Sequence, residues 1–295
     1  MRSAEKAVIK TLVYSDIFEF PLSYDELWRF LISPKPVSKK SLKEILNRQS
    51  QNFSVKNGWH YLFQRDSLID IRLQRNKESS KKLTDAKKIV SYLSLVPTIY
   101  LIGISGALAM ENAGDKDDID LFVITKTNTI WITRFVLILI LQVFGVRRNR
   151  STKRAANTVC LNMLIDEAGM AFLLEKRGLY TAHEIVQLRT LFNRNNTYEK
   201  FISANKWVLN FMPNSIDIKK LRNEDIKDIK KSLNYLISQL LIIPEFFAKI
   251  VQLWYMKRHI TNEKITNHML AFHPLDYKEI VLKKYRKRLK RYGLK

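Results

Sequence analysis

Asp118 and Asp120 stand two residues apart in "DDIDLFVIT" (117–125). In an extended strand such residues project to one face, so their carboxylates are held side by side while Ile119, Leu121 and Val123 turn to the other face and anchor the strand. Neighbouring carboxylates repel each other unless a cation lies between them. Mg²⁺ suits the pair, because it binds through one or two carboxylates and completes its shell with water and phosphate oxygens; Mn²⁺ shares the preference. Upstream, Gly106 and Ala107 follow the β-prone run "TIYLIGIS" and open "GALAMEN", where a helical turn is expected. Glycine there lets backbone N–H groups approach an anion closely. Phosphate at one end and a divalent cation at the other is a layout for phosphoryl or nucleotidyl transfer. The competing reading is a solvated acidic turn. It accounts for Asp115 and Asp117, but poorly for Asp120, since an ionised group inside an apolar strand is costly without a partner.

Three β-prone runs must position these groups: "TIYLIGIS" (98–105), "IDLFVIT" (119–125) and "TVCLNMLID" (158–166), the last two separated by an apolar helix over 128–145. Strands alternating with helices predict an α/β (α+β) core with a small mixed sheet. Before it, residues 66–95 read as a long charged helix that Pro97 ends. From "LYTAHEIVQLRTLF" (179–192) onward helical patterns dominate, closing on a tail rich in Lys and Arg at 283–291. The expected division is a unit over 1–65, a connecting helix over 66–97, a core over 98–175 and a helical C-terminal region over 176–295.

The first unit has apolar residues at helical spacing through Val8, Leu12 and Val13, then through Leu27, Trp28, Phe30 and Leu31. Ser23 and Glu26 form a capping box at the second helix, and a third helix is expected from Ser38. Asn57-Gly58 between the short runs of "FSVKNGWHYLF" is a hairpin signal. Three short helices and a hairpin resemble a winged helix. In a DNA-binding winged helix, the third helix enters the major groove, where Lys39, Lys40, Lys43 and Arg48 would contact phosphates.

The 295 residues carry 51 Lys+Arg against 28 Asp+Glu, a formal charge of +23, which favours polyanionic partners: nucleotides, nucleic acid or an anionic membrane surface. Cys160 is the only cysteine, so an intramolecular disulfide is excluded and a reducing, cytoplasmic setting is expected. No secretion signal is read at the N-terminus. Two apolar stretches, 130–146 and 235–256, are interrupted by Arg134 and Gln142 in one and by Pro244, Glu245 and Lys249 in the other. Both fall short of the roughly 18 to 20 uninterrupted apolar residues of a span, so buried or amphipathic helices are expected, with a peripheral membrane role as the lesser reading.

The stretch 101–125 resembles the signature of the polymerase-beta-like nucleotidyltransferase superfamily, in which a Gly-Ser pair after one strand is followed about a dozen residues later by Asp-x-Asp entering the next. Gly106-Ala107 takes the place of the pair and Asp118-Ile119-Asp120 supplies the acids. The resemblance implies that Asp118 and Asp120 bind Mg²⁺ (or Mn²⁺) and that an NTP gives its nucleoside monophosphate to an acceptor hydroxyl. It further implies a third carboxylate on the later strand, for which Asn162 and Asp166 are the candidates. More loosely, the whole chain looks like a group of bacterial nucleotidyltransferase-domain proteins. Ala107 replaces the family's Ser, and Glu111 stands where a glycine is usual four residues on. Ala107, Glu111 and Asn162 leave a second reading open: a transferase fold kept as a nucleotide- or nucleic-acid-binding module.

Other motifs fail on spacing. An EF-hand loop from Asp115 would need Gly at the position of Asp120 and Glu at that of Lys126, and neither a Walker pattern nor GxGxxG is present. Arg177 and His183 have an Arg-x5-His spacing, but a helix start with Thr181 as N-cap and Glu184 three residues later would separate them and make His183 a capping residue. His259, His268 and His273 show no zinc spacing. Arg134 either reaches toward phosphate or, as favoured, pairs with an acid.

Overall fold

The computed structural model describes residues 3–48, 50–148, 156–217, 231–257, 264–272 and 276–294. Helices α1 (Ser3–Asp16), α2 (Tyr24–Arg29) and α3 (Lys39–Leu46) are followed by a hairpin of β1 (Phe53–Lys56) and β2 (Trp59–Leu62). The local chemistry is the one the residues dictate. Ser23 and Glu26 exchange both capping-box bonds, Glu26 N donating to Ser23 Oγ at 3.3 Å and Ser23 N to Glu26 Oε2 at 2.8 Å. Asn57 and Gly58, with φ of 52° and 80°, make the left-handed turn that matches strand twist in a tight hairpin.

After α4 (Leu68–Leu93) come β3 (Ile99–Ile104), the single turn α5 (Gly106–Ala109), β4 (Ile119–Thr125), α6 (Ile130–Val143) and β5 (Val159–Asp166). Then follow α7 (Leu179–Val186), β6 (Arg189–Asn193), α8 (Thr197–Ala204), α9 (Lys231–Lys257), β7 (Lys264–Ile265), β8 (Met269–Ala271) and α10 (Asp276–Lys290). The described fold is mixed α/β, with a six-stranded sheet in the order β6-β3-β4-β5-β8-β7 beside the small antiparallel hairpin. β3 and β4 are antiparallel, and α6 carries the chain over to β5, which runs parallel to β4. Both faces of β4 are covered. Ile119, Leu121 and Val123 pack with Val90, Trp131 and Leu137, while Phe122 and Ile124 pack with Ile185, Phe201 and Val208.

One expectation is corrected. The C-terminal region is not purely helical: "RTLFN" (189–193), read as the tail of a helix, forms β6, and β8 joins the far side of the sheet. An open edge of β3 offers "RTLFN" a ladder that overrides its weak local preference. The core of the N-terminal unit is built on residues such as Val8, Leu12, Val13, Leu27 and Leu42, and Val281, Tyr285, Leu289 and Leu294 join it. Among the described residues, no helix is long and apolar enough to cross a membrane.

Candidate active site

Where β3 ends, Ser105 N donates to Asp120 O at 3.0 Å, which pins the entry of β4 beside the turn at Gly106. Gly106 has φ of +66°, and a Cβ there would lie 3.2 Å from Asp120 Oδ2. Both the left-handed backbone and the close approach of a carboxylate therefore select glycine. Gly106→Ala is expected to cost about 1–2 kcal/mol, the strain of forcing a side chain into that conformation, read as a fall in the urea midpoint at unchanged slope. An unchanged midpoint would remove the argument.

Asp118, Asp120 and Cys160 each offer a ligand atom, and these lie within 4.8 Å of one another. Cys160 comes to this place because the parallel register sets it opposite Asp120. The Asp118 carboxyl titrates above its ordinary range, chiefly because it is buried and next because Asp120 lies beside it; Arg148 Nη1, which donates to Asp118 Oδ2, opposes the shift. Burial, with the two neighbouring carboxylates, pushes the Cys160 thiol up to about 12, so it is protonated at neutral pH.

A carboxyl whose pKa is raised by folding stabilises the protein below its unfolded pKa, and that contribution is lost as pH rises through the folded value. At neutral pH the crowded Asp118 thus opposes folding. Asp118→Asn is expected to melt above wild type at neutral pH without divalent cation, the gap closing as pH falls into the ordinary carboxylate range. A melting curve in which wild type equals the variant at neutral pH would contradict this.

Asn162 and Asp166, the two candidates on β5, separate. The β4–β5 register slips by one residue at Asn162, whose Nδ2 donates to Ser105 Oγ at 3.1 Å. It stays at the site as a bulged amide. Asp166 pairs in register with Thr125 at the far end of β4, roughly 20 Å along the strand from Cys160. Its buried carboxylate accepts from Gly169 N at 3.0 Å and Asn128 N at 3.2 Å, and bonds His268 Nδ1 at 2.9 Å. The expectation that Asp166 belongs to the site is corrected: in a parallel pair the start of β5, not its end, meets the start of β4.

Ala107 lies in the turn, its carbonyl accepting from Asn112 N at 2.9 Å. Glu111 has the left-handed φ of +54°, the conformation in which glycine is least strained. Its carboxylate accepts from Arg189 Nη1 at 2.6 Å and Asn76 Nδ2 at 2.7 Å, and the Arg189 hydrogen bond holds its pKa below the usual range.

A cavity of about 690 Å³ opens beside this turn, lined by Gly106, Ala107, Asp118, Asp120 and Asn162. The N-terminal unit supplies another wall through Tyr14, Phe18 and Phe30, so it closes the site instead of standing apart from it. Lys176, Lys264 and Lys278 line the same cavity, with Glu184, which bonds Tyr180. Burial first, and then the charge of Lys264, lower the Lys176 pKa. Sequence reasoning missed these lysines and Cys160. The lysines come from a short turn after β5, from β7 and from α10, and no local spacing links them.

The remaining candidates have structural roles. α7 starts at Leu179, two residues before the expected cap, and Thr181 Oγ1 donates to Lys176 O at 2.7 Å. His183 is therefore no cap: it is buried, stacked on Tyr14 at 3.9 Å, and its pKa is pushed down to about 3 by burial. Arg177 lies outside that helix, as expected, and donates to Phe172 O at 3.0 Å. Arg134 Nη1 donates to Gln252 Oε1, and its guanidinium lies over the Phe272 ring. His259 and His273 lie outside the described residues. In comparisons with protein-family models, curated proteins and solved structures, nothing matched this chain.

Proposed function

We propose that the chain is a Mg²⁺-dependent (or Mn²⁺-dependent) nucleotidyltransferase that moves a nucleoside monophosphate from an NTP to an acceptor hydroxyl and releases pyrophosphate. One observation carries the reading: a glycine turn closing β3 touches an Asp-x-Asp entering β4, and both line a cavity whose about 690 Å³ suits a nucleotide. The donor set fits a hard cation. Asp118 and Asp120 offer oxygens, burial and then the neighbouring Asp120 raise the pKa of Asp118, and the nearby thiol of Cys160 stays protonated. Asp118 and Asp120 would hold the ion, which when bound neutralises the triphosphate and stabilises the attacking and leaving oxygens.

The chain's own groups do the rest. Backbone N–H groups at Gly106 and Ala107 receive phosphate oxygens, and Lys176, Lys264 and Lys278 set a positive potential in the cavity that draws the triphosphate in. Tyr14, Phe18 and Phe30 exclude water from that wall. Glu184 is a carboxylate of the cavity outside the metal pair and is the candidate to take the acceptor's proton.

A second reading is favoured by β5: opposite Asp120 it presents a protonated thiol, then an amide, and neither is a base at neutral pH. The fold would then bind nucleotide without transferring it, and the exposed Lys40 and Lys43 of α3 would contact nucleic acid. Incubation of the purified protein with Mg²⁺ or Mn²⁺ and each of four α-labelled NTPs, with RNA and the protein itself among the acceptors, separates the two. Labelled product with pyrophosphate supports transfer; saturable NTP binding without turnover supports the module; neither binding nor turnover removes both.

A further inference from the structure

Helix α9 is apolar on its outer side as well as on its inner side, where Ala248, Leu253 and Met256 pack against the core. Ile242, Ile243, Phe246, Phe247, Ile250, Val251, Trp254 and Tyr255 repeat in pairs every four residues and are each 47–67% exposed. Two polar side chains, Glu245 and Gln252, go inward. Glu245 accepts from Trp131 N at 2.9 Å and Ile132 N at 2.7 Å, capping α6, while Gln252 Nε2 donates to Trp131 O at 2.8 Å and its Oε1 accepts from Arg134. A helix on a water-exposed surface has the reverse arrangement. Its neighbour α6 repeats the pattern, with Phe135, Leu139 and Val143 exposed and its only charged residue, Arg134, turned to Gln252.

At roughly 100 Å² of exposed surface for each such side chain, the α9 stripe exceeds the few hundred Å² that a monomeric protein ordinarily leaves to water. We propose that this face docks on an anionic lipid bilayer, α9 lying in the plane of the interface. It does not cross: no described helix is apolar enough, and α9 carries Pro244, Glu245 and Lys249.

Charge selects the occupant. The chain carries +23, which attracts an anionic surface and repels a second copy of itself. α6 has no acid, and the single acid of α9, Glu245, is engaged at the α6 N-terminus. Basic residues border it: Lys257 is exposed at the end of α9, and Lys88 is exposed one turn before Tyr92, whose ring lies 4.8 Å from Phe144 beyond α6. Trp254 and Tyr255 supply amphipathic rings suited to the headgroup level.

The test is co-sedimentation of the full chain with vesicles of phosphatidylcholine alone and of phosphatidylcholine with phosphatidylglycerol, with quenching of tryptophan fluorescence by brominated lipid. Binding is expected to the anionic vesicles, weakened by salt. It should fall at least about tenfold in Phe246→Ser/Trp254→Ser, with the melting temperature held. A second variant, Val251→Asp, should lose binding by the same measure. The proposal is overturned if wild type ignores anionic vesicles or if both variants bind like wild type. It is overturned too if the chain sediments as a lipid-indifferent dimer that the substitutions dissociate, which would make the face an interface between copies.

Discussion

Alanine in place of both Asp118 and Asp120 is expected to lower the proposed nucleotidyl transfer by at least about 10³-fold, the scale of losing groups that stabilise transition-state charge, while the protein stays folded. The two carboxylates share one face at the entry of β4 and are crowded enough that burial and Asp120 raise the pKa of Asp118. Their removal relieves repulsion, so the melting temperature without divalent cation should not fall. Mg²⁺-dependent protection of wild type by NTP against thermal unfolding should vanish in the double variant. If the double variant transfers at the wild-type rate, the chemistry lies elsewhere in the molecule and the cavity is not its seat.

Arg72→Ala is expected to destabilise the fold by about 3 kcal/mol or more, the range for stripping one partner from a buried ion pair. The Arg72 side chain is 4% exposed, and its Nη2 lies 2.9 Å from Glu26 Oε1 while Nη1 donates to Met110 O at 2.8 Å. Its guanidinium carbon sits 3.9 Å from the Phe20 ring centre and 5.2 Å from that of Trp59. One side chain thus ties the N-terminal unit to the segment joining β3 and β4, the same segment that carries the Gly106 turn. Lysine keeps the charge but not the planar fork, so Arg72→Lys should fall between wild type and alanine. Urea unfolding would measure both, and an alanine variant within about 1 kcal/mol of wild type would show that the pair is not decisive.

What periodicity can reveal was legible. The alternation of "IDLFVIT", the capping chemistry of Ser23 and Glu26, and Asn57-Gly58 each determine a local conformation, and each formed where expected. Gly106 and Asp118/Asp120 came together because a short segment joins two antiparallel strands. Register is a different kind of property. Nothing local says which residue of "TVCLNMLID" faces Asp120, and so Cys160 was overlooked while Asp166, an acid by type, was placed at a site it does not reach. Likewise the apolar stretch 235–256 announces a helix without saying which side meets protein. The orientation of α9 depends on Glu245 finding the free N–H groups of α6, a partner more than a hundred residues away. The three cavity lysines are invisible for the same reason.

The joining of α10 to α1 bears on how the chain acquires its shape. Arg288 donates to Asp16 across 272 positions, and Val281, Tyr285 and Leu289 fill the core around Leu12. The helices around Leu12 can form turns early but must wait for the distant residues over 276–294 before their core is sealed. Long-separated contacts slow folding, and here one of them shuts a wall of the cavity. The pocket is therefore complete only once the segment over 276–294 has joined the fold.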